Sequence, residues 1–326
     1  MPEKGVGDRK GLLLLRLAFL ACALTAALAS PPAARAAEGA GAIWRFDFRD
    51  VFYDATFVRP DWGVVVGARG RILTSHERYP NLWAVRESGT TELLTCLSFA
   101  DERHGWAAGH GGIILGTTDG GRTWEVQRES APENQPLFDI QFPTFQAGYA
   151  CGAFDTFLKT ADGGKSWEEI PTGLDIMLNG MAFADELQGY MVGEFGTVVR
   201  TRDGGASWEK LDTGDYQGSL FGITLLSEQE ILVCGIAGKI LRSEDAGETW
   251  SGIPSATDQS LFRGAAQGEE VVLAGNSGTI LCSRDRGKHF IPRKDEDLTS
   301  FAGVCPHPGG GFLCLGDTGK IVHLQP

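Results

Sequence analysis

One unit, recurring seven times at steps of 42, 43, 41, 42, 40 and 41 residues, constrains this chain more than any other feature. Its landmark is an apolar run ending in glycine, followed by a short glycine-bearing turn and a second apolar run. Gly67-Ala68-Arg69-Gly70-Arg71-Ile72 and Gly109-His110-Gly111-Gly112-Ile113 are the first two copies, and Gly152, Gly193, Gly235, Gly275 and Gly316 mark the others. Such a step suits four short strands with their turns and is too long for a helical hairpin repeat such as a tetratricopeptide. The mature chain has no sustained helical period, and its glycines fall mainly at turns. The expected fold is all-β, a seven-bladed β-propeller over residues 42–326.

A second landmark follows each turn. Thr117-Thr118-Asp119-Gly120-Gly121-Arg122-Thr123-Trp124 is repeated from Thr160 to Trp167, Thr201 to Trp208, Ser243 to Trp250 and Ser283 to Phe290. This is the Asp-box pattern. A carboxylate in such a turn can accept backbone N–H groups, glycine can take positive φ, and the aromatic packs on the sheet. Asp119, Trp124, Asp162, Trp167, Asp203, Trp208, Asp245, Trp250 and Asp285 are therefore expected to be structural. The first repeat has a longer, degenerate version, Thr74-Ser75-His76-Glu77 through Trp83, and the seventh ends before any box. Ile43-Trp44-Arg45-Phe46 resembles the strand that follows a box tryptophan elsewhere. It is expected to complete the last blade and close the ring, leaving fewer unpaired edges.

Inner strands align from Phe52, Leu94, Leu137, Leu178, Leu220, Leu261 and Ser300, with mostly apolar second, fourth and sixth positions, the period of a strand packed on a neighbour. Tyr53, Phe138, Phe221, Phe262 and Phe301 then share the second position, where they either pack between blades or line the mouth.

Residues 1–36 read as an export signal: Lys4, Arg9 and Lys10, then an apolar run from Leu12 to Leu28 interrupted by Arg16, then Ala34-Arg35-Ala36. Cleavage is expected after Ala36, with Ala27-Leu28-Ala29 as a second candidate. An uncleaved anchor and lipidation at Cys22 are the alternatives. The implied location is periplasmic or extracellular. Removal of this segment takes five basic and two acidic groups and leaves a formal charge of −16, which would repel nucleic acid and anionic lipid. No later segment is long and apolar enough for a membrane helix, so no membrane insertion is expected after cleavage.

Six cysteines remain, none in a C-x-x-C pair, so zinc and dithiol chemistry lack their usual spacing. Cys305 and Cys314 flank a turn-rich segment and could pair. Cys96, Cys151, Cys234 and Cys282 read as small buried apolar residues. The six histidines show no H-E-x-x-H spacing, and there is no G-x-S-x-G elbow. No catalytic residue, metal or cofactor is expected.

Asp boxes, between third and outer strands, occupy one face. The opposite face carries the turns between second and third strands and the links into the next blade, and a protein partner is expected there. Candidate contacts are Arg69, His110, Phe154, Asp155, Glu194, Phe195, Asn276 and Asp317. An aromatic mouth with scattered polar groups suits a peptide or a protein loop. For Phe154 and Phe195, recognition and packing are both open. Asp boxes also occur in sialidases, and Phe57-Val58-Arg59-Pro60 distantly resembles an arginine motif of those enzymes. An Asp-box glycoside hydrolase or a carbohydrate-binding propeller is thus the alternative. Arg59 falls on the box side, however, and a glycosidase needs two placed carboxylates.

Units of the form F-x-D-x-x-x-G-Y/W-x-V-G-x-x-G-x-I/V-x-x-T-x-D-G-G-x-S/T-W, best seen from Met181 to Trp208, resemble the Ycf48/Hcf136 family of photosystem II assembly factors. The resemblance implies a lumenal or periplasmic seven-bladed propeller that binds an early reaction-centre polypeptide. Two features depart from the family. Only Arg69 is basic among the mouth turns, and the leader is a bacterial export signal in place of a transit peptide. The expectation is a non-enzymatic scaffold or assembly factor for an integral membrane or envelope protein, lumenal if the host is photosynthetic.

Overall fold

The computed structural model describes residues 42–45, 47–76, 79–294 and 297–325. The expected export segment 1–36 with its cleavage and lipidation sites, Phe46 and Glu77 lie outside the described residues. Seven antiparallel sheets follow one another along the chain, each ordered from inner to outer strand. Blade 4 is representative: Leu178–Phe183, Gly189–Gly193, Val198–Thr201 and Glu209–Lys210. Blade 7 has three strands, Phe301–Pro306, Phe312–Gly316 and Ile321–Leu324.

The core is divided among the seams. One apolar cluster lies between each pair of neighbouring blades, including Phe52, Ala55, Leu313 and Leu315 between blades 1 and 7, which close the ring by packing. Every inner strand carries a bulge: its register with the second strand shifts after the first residue. A bulge inserts one unpaired residue and resets the alternation of side chains. First and fourth residues therefore both face the seam, as Leu137 with Ile140 and Leu178 with Met181. This corrects the strict period of two: the second residue is displaced from the seam, and Tyr53, Phe138, Phe221 and Phe262 are only partly buried. Phe301 does not share their position. It pairs with Gly316 as Phe52 does with Gly67, is fully buried, and leaves Ala302 at the bulge.

The boxes join blades. In blade 2 the Thr123 N–H and hydroxyl donate to Asp119 Oδ1 and Oδ2 at 2.9 and 2.7 Å, and Gly121 N donates to Thr117 Oγ1 at 2.9 Å. Asp162, Asp203 and Asp245 repeat this, and in blade 6 the His289 ring replaces the hydroxyl beside Asp285. Each turn offers a carbonyl to the preceding blade: Trp62 Nε1 donates to Gly120 O, Trp106 Nε1 to Gly163 O, and Tyr190 OH to Ala246 O. Box aromatics wedge the same seams. Trp208 meets Phe157 of blade 3 edge-on at 5.2 Å, and Trp124 and Phe290 lie in the clusters between blades 1 and 2 and between 5 and 6.

The expected closure by an N-terminal strand of the last blade is not what the structure has. Ala42–Ile43 pairs with Val85 and Ala84 on the outer edge of blade 1, and Trp44 N donates to Trp83 O. Trp44 Nε1 donates to Asp50 Oδ2 at 2.9 Å, and its ring meets Phe52 at 5.6 Å. These contacts hold it in the seam of blades 7 and 1, whereas a seventh box aromatic would enter that of blades 6 and 7. Nor do Cys305 and Cys314 pair. Cys314 stands opposite Val304 and Cys305 opposite Leu313, a one-residue offset that sends the sulfurs to different seams.

Candidate functional site

Turns between second and third strands form the mouth face, and they share one backbone solution. Both central residues have positive φ: Arg69 and Gly70 at 59° and 63°, Phe195 and Gly196 at 57° and 63°, Thr318 and Gly319 at 57° and 70°. This is the signature of a type I′ turn, whose twist matches that of the strands it joins. Six blades have glycine at the second position. At Gly196 a Cβ would lie 2.0 Å from Tyr216 O in the link to blade 5, so neighbouring chain as well as φ requires it. Blade 3 has Asp155 instead. Its carboxylate accepts the Thr172 hydroxyl, Gly173 N and Leu174 N, folding the link to blade 4 around itself.

The first central position projects outward, and in blades 3 and 4 it is phenylalanine. Phe154 is 58% exposed and Phe195 44%, so neither ring is packed into the core. Large rings exposed on adjacent turns are surface that a partner can cover. Glu194 accepts Met177 N at 3.1 Å and Asp317 accepts Ser300 N at 3.2 Å. Both carboxylates therefore tie a turn to the link beside it. Arg69 Nη2 donates to Asp50 Oδ1 at 2.6 Å, and Arg71 reaches the same oxygen at 3.4 Å. Asp50 is fully buried, and its carbonyl accepts Gly319 N, so this ion pair belongs to the junction of blades 1 and 7. His110 is partly buried, which lowers its pKa below the ordinary value against the opposing effect of Glu92. Asn276 is half-buried, its N–H given to Ser260 O. Phe154, Asp155, Glu194 and Phe195 thus share adjacent blades, Arg69 and Asp317 flank another junction, and His110 and Asn276 stand apart.

Below the mouth the third inner-strand residues face the axis. Arg263 of blade 6 reaches across to blade 3, donating to Asp139 Oδ2 and to Phe138 O, both at 2.9 Å. Asp139 also accepts Ile140 N and, from blade 4, Met181 N. Asp54 of blade 1 makes the equivalent pair of bonds with Ala55 N and Leu97 N. Burial pushes the Asp54 carboxyl up to about 7, Arg263 opposing and Asp139 adding to the rise. The guanidinium thus bridges two inner strands that lie three blades apart in the ring. Sequence reasoning passed over these three groups, although charges inside otherwise apolar inner strands were the signal.

Among the described residues no three His, Cys, Asp or Glu side chains gather where they could hold a metal ion. No helix there is long and apolar enough to cross a membrane. Arg59, on the box face, lies 3.5 Å from Asp61 and over the Trp62 ring.

With this geometry in hand, comparison with known proteins is decisive on family. The model of the photosynthesis system II assembly factor YCF48 matches residues 36–128 and 168–260, more than half of the chain. The chain belongs to the YCF48 family. Two YCF48 structures share its fold. One, described as YCF48 bound to D1 peptide, is 19% identical, with a TM-score of 0.69 over 91% of this chain and 100% of that one. The other, YCF48 from Cyanidioschyzon merolae, is 16% identical, with a TM-score of 0.68 over 88% and 99%. The WD40 repeats of RRP9 match at 11% identity and a TM-score of 0.66, covering 86% and 91%, a likeness of fold alone. No curated protein sequence matched the chain.

Proposed function

We propose that this YCF48-family propeller is an exported, non-enzymatic assembly factor that holds a segment of an integral membrane or envelope protein on its mouth face. The observation that carries the reading is the pair of exposed rings, Phe154 and Phe195, on adjacent turns of a fold whose relative was solved with a D1 peptide. Exposed aromatics on rigid turns lose little entropy on binding and supply most of the energy where they are buried. The mouth carboxylates support the same reading. Asp155, Glu194 and Asp317 each accept backbone N–H groups, a scaffold role that competes with service as a glycosidase acid or nucleophile. Export follows from the character of residues 1–36, and a negative formal charge of −13 disfavours nucleic acid as a partner.

The test uses the mature chain immobilised over detergent-solubilised membranes of its host. Phe154→Ala with Phe195→Ala should lower specific capture about ten-fold while the melting temperature stays close to that of the parent. Unchanged capture would sink the mouth-face reading. Hydrolysis of an aryl glycoside, abolished by Glu194→Gln, would replace it with an enzyme.

A further inference from the structure

Blade 6 differs from blades 3 to 5 on the side that faces its successor. In those three blades a third-strand base reaches forward to the next box turn: Lys159 Nζ donates to Gly204 O at 2.7 Å, Arg200 Nη1 to Ala246 O at 2.9 Å, and Arg242 Nε to Arg286 O at 3.2 Å. The outer-strand residue paired with that base is Glu168, Glu209 or Ser251. Blade 6 has Cys282 and Ile291 at the two places. Residues directly opposite on a ladder share a face of the sheet. Cys282 and Ile280 pack in the seam with blade 7, so their partners Ile291 and Arg293 look the same way. Ile291 is 71% exposed, since among the described residues blade 7 has neither a box turn nor a fourth strand to cover it. Val272, Cys282, Phe312 and Leu324 line a cleft in this seam, with exposed Arg284 and Arg293 at its rim.

Beside the cleft runs a free edge. Among the described residues Ile321–Leu324 is bonded to Phe312–Gly316 alone. Blade 7 stops one strand short of blade 6 and two short of the five-stranded sheet of blade 1, a recess of about 5–10 Å at one strand spacing each. The flat sheet edge of a second copy does not enter such a notch, whereas a single extended segment does. After the expected cleavage, residues 37–41 carry no large side chain to meet Ile291 and lead into Ala42, which is paired to blade 1. We propose that an extended segment of a partner protein adds as the fourth strand of blade 7, with large apolar side chains turned to Ile291 and Cys282 and an acidic residue beside Arg293. The N–H and C=O groups of the edge supply affinity, and the cleft selects alternate side chains. Trp208 and Phe290 show at their own seams where such a side chain rests. This surface lies on the outer rim and is independent of the mouth-face reading.

The probe is a fluorescein-labelled heptapeptide in which glutamate, tryptophan, leucine and glutamate alternate with threonine, titrated against the mature chain. It should bind saturably and slow hydrogen exchange of the 321–324 amides. It should also slow maleimide labelling of Cys282, the other five described cysteines being buried. The same residues reordered so that tryptophan and leucine face opposite sides should bind about ten-fold more weakly. A version with proline for the central threonine, which removes a ladder donor, should lose about as much. Ile291→Lys should weaken the parent peptide about ten-fold, whereas Val126→Lys, at an exposed apolar residue on the outer strand of blade 2, should leave it unchanged. No saturable binding, equal binding of the three peptides, equal effects of the two lysine substitutions, or 321–324 amides already protected in a dimer of this chain would overturn the proposal. If affinity falls instead with Phe154→Ala and Phe195→Ala and ignores Ile291→Lys, the peptide sits on the mouth, and the edge proposal fails while the mouth-face reading stands.

Discussion

A guanidinium set across the axis, 21% exposed and bonded to a carboxylate that is 4% exposed, leaves little freedom to either partner. Removing one member of a buried pair strands the other, which typically costs about 3 kcal/mol or more. Arg263→Met should therefore lower unfolding free energy by about 3 kcal/mol in urea titrations; a loss below about 1 kcal/mol would mean that solvent in the channel already carries Asp139. Asp54 gives the same site a pH signature. Folded, it holds its proton up to about 7, whereas its ordinary value is 3.8. Between those values the native state binds more protons than the unfolded one, so this group makes stability fall as pH rises across that window. Asp54→Asn should flatten that slope in stability measured from pH 4 to 8, and a slope that survives the change belongs to another group.

At the scale of the element, the Asp box acts as a turn whose carboxylate is saturated from within. Hydrogen bonds from Ser166 to Asp162 and from Ser207 to Asp203 lower both carboxyls to about 2. Their contribution is complete above about 4, the unfolded value, and is lost as pH falls through the folded one. Asp203→Ala should move the acid-unfolding midpoint, followed by tryptophan fluorescence, to higher pH and lower stability at pH 7. Trp208→Ala removes the wedge between Phe157 and Phe183 and should cost about 3 kcal/mol, provided blade 4 stays folded by circular dichroism. The boxes and their spacing made blade number and strand order legible in the sequence. Three features were not legible. The bulge resets the alternation, so the second inner-strand residue read as seam when it is displaced from it. Phe301 looked equivalent to Phe262, because one-residue register is set by pairing with Gly316 and not by side-chain type. The segment around Trp44 has the pattern of a strand that follows a box tryptophan, but the Asp50 carboxylate six residues on holds that indole in the seam of blades 7 and 1. The exposed rings of Phe154 and Phe195 were visible as aromatics in turns, while the channel charges needed three distant blades brought to one axis.

Over the whole molecule, the ring closes by packing of blade 7 on blade 1, and the burden falls unevenly on its seven seams. Six seams hold an aromatic from an outer turn, Trp83 between blades 7 and 1 and Trp124 to Phe290 around to blade 6. Between blades 6 and 7 the described residues provide none: Phe312, Cys314, Val322 and Leu324 pack there against Val272 and Ile280 without a wedge. Blade 7 also lacks a fourth strand among the described residues, so Ile321–Leu324 is hydrogen-bonded to one neighbour where Val198–Thr201 of blade 4 is bonded to two. Fewer buried contacts and a solvent-facing ladder lower the free energy of local opening. Native-state hydrogen exchange should accordingly find the amides of 321–324 exchanging well before those of 198–201, with blade 7 opening as a unit ahead of blades 2 to 5. Equal protection of the two strands would show that neither the single-neighbour ladder nor the absent wedge sets the order of local opening, and the uneven burden argued from the seams would fall.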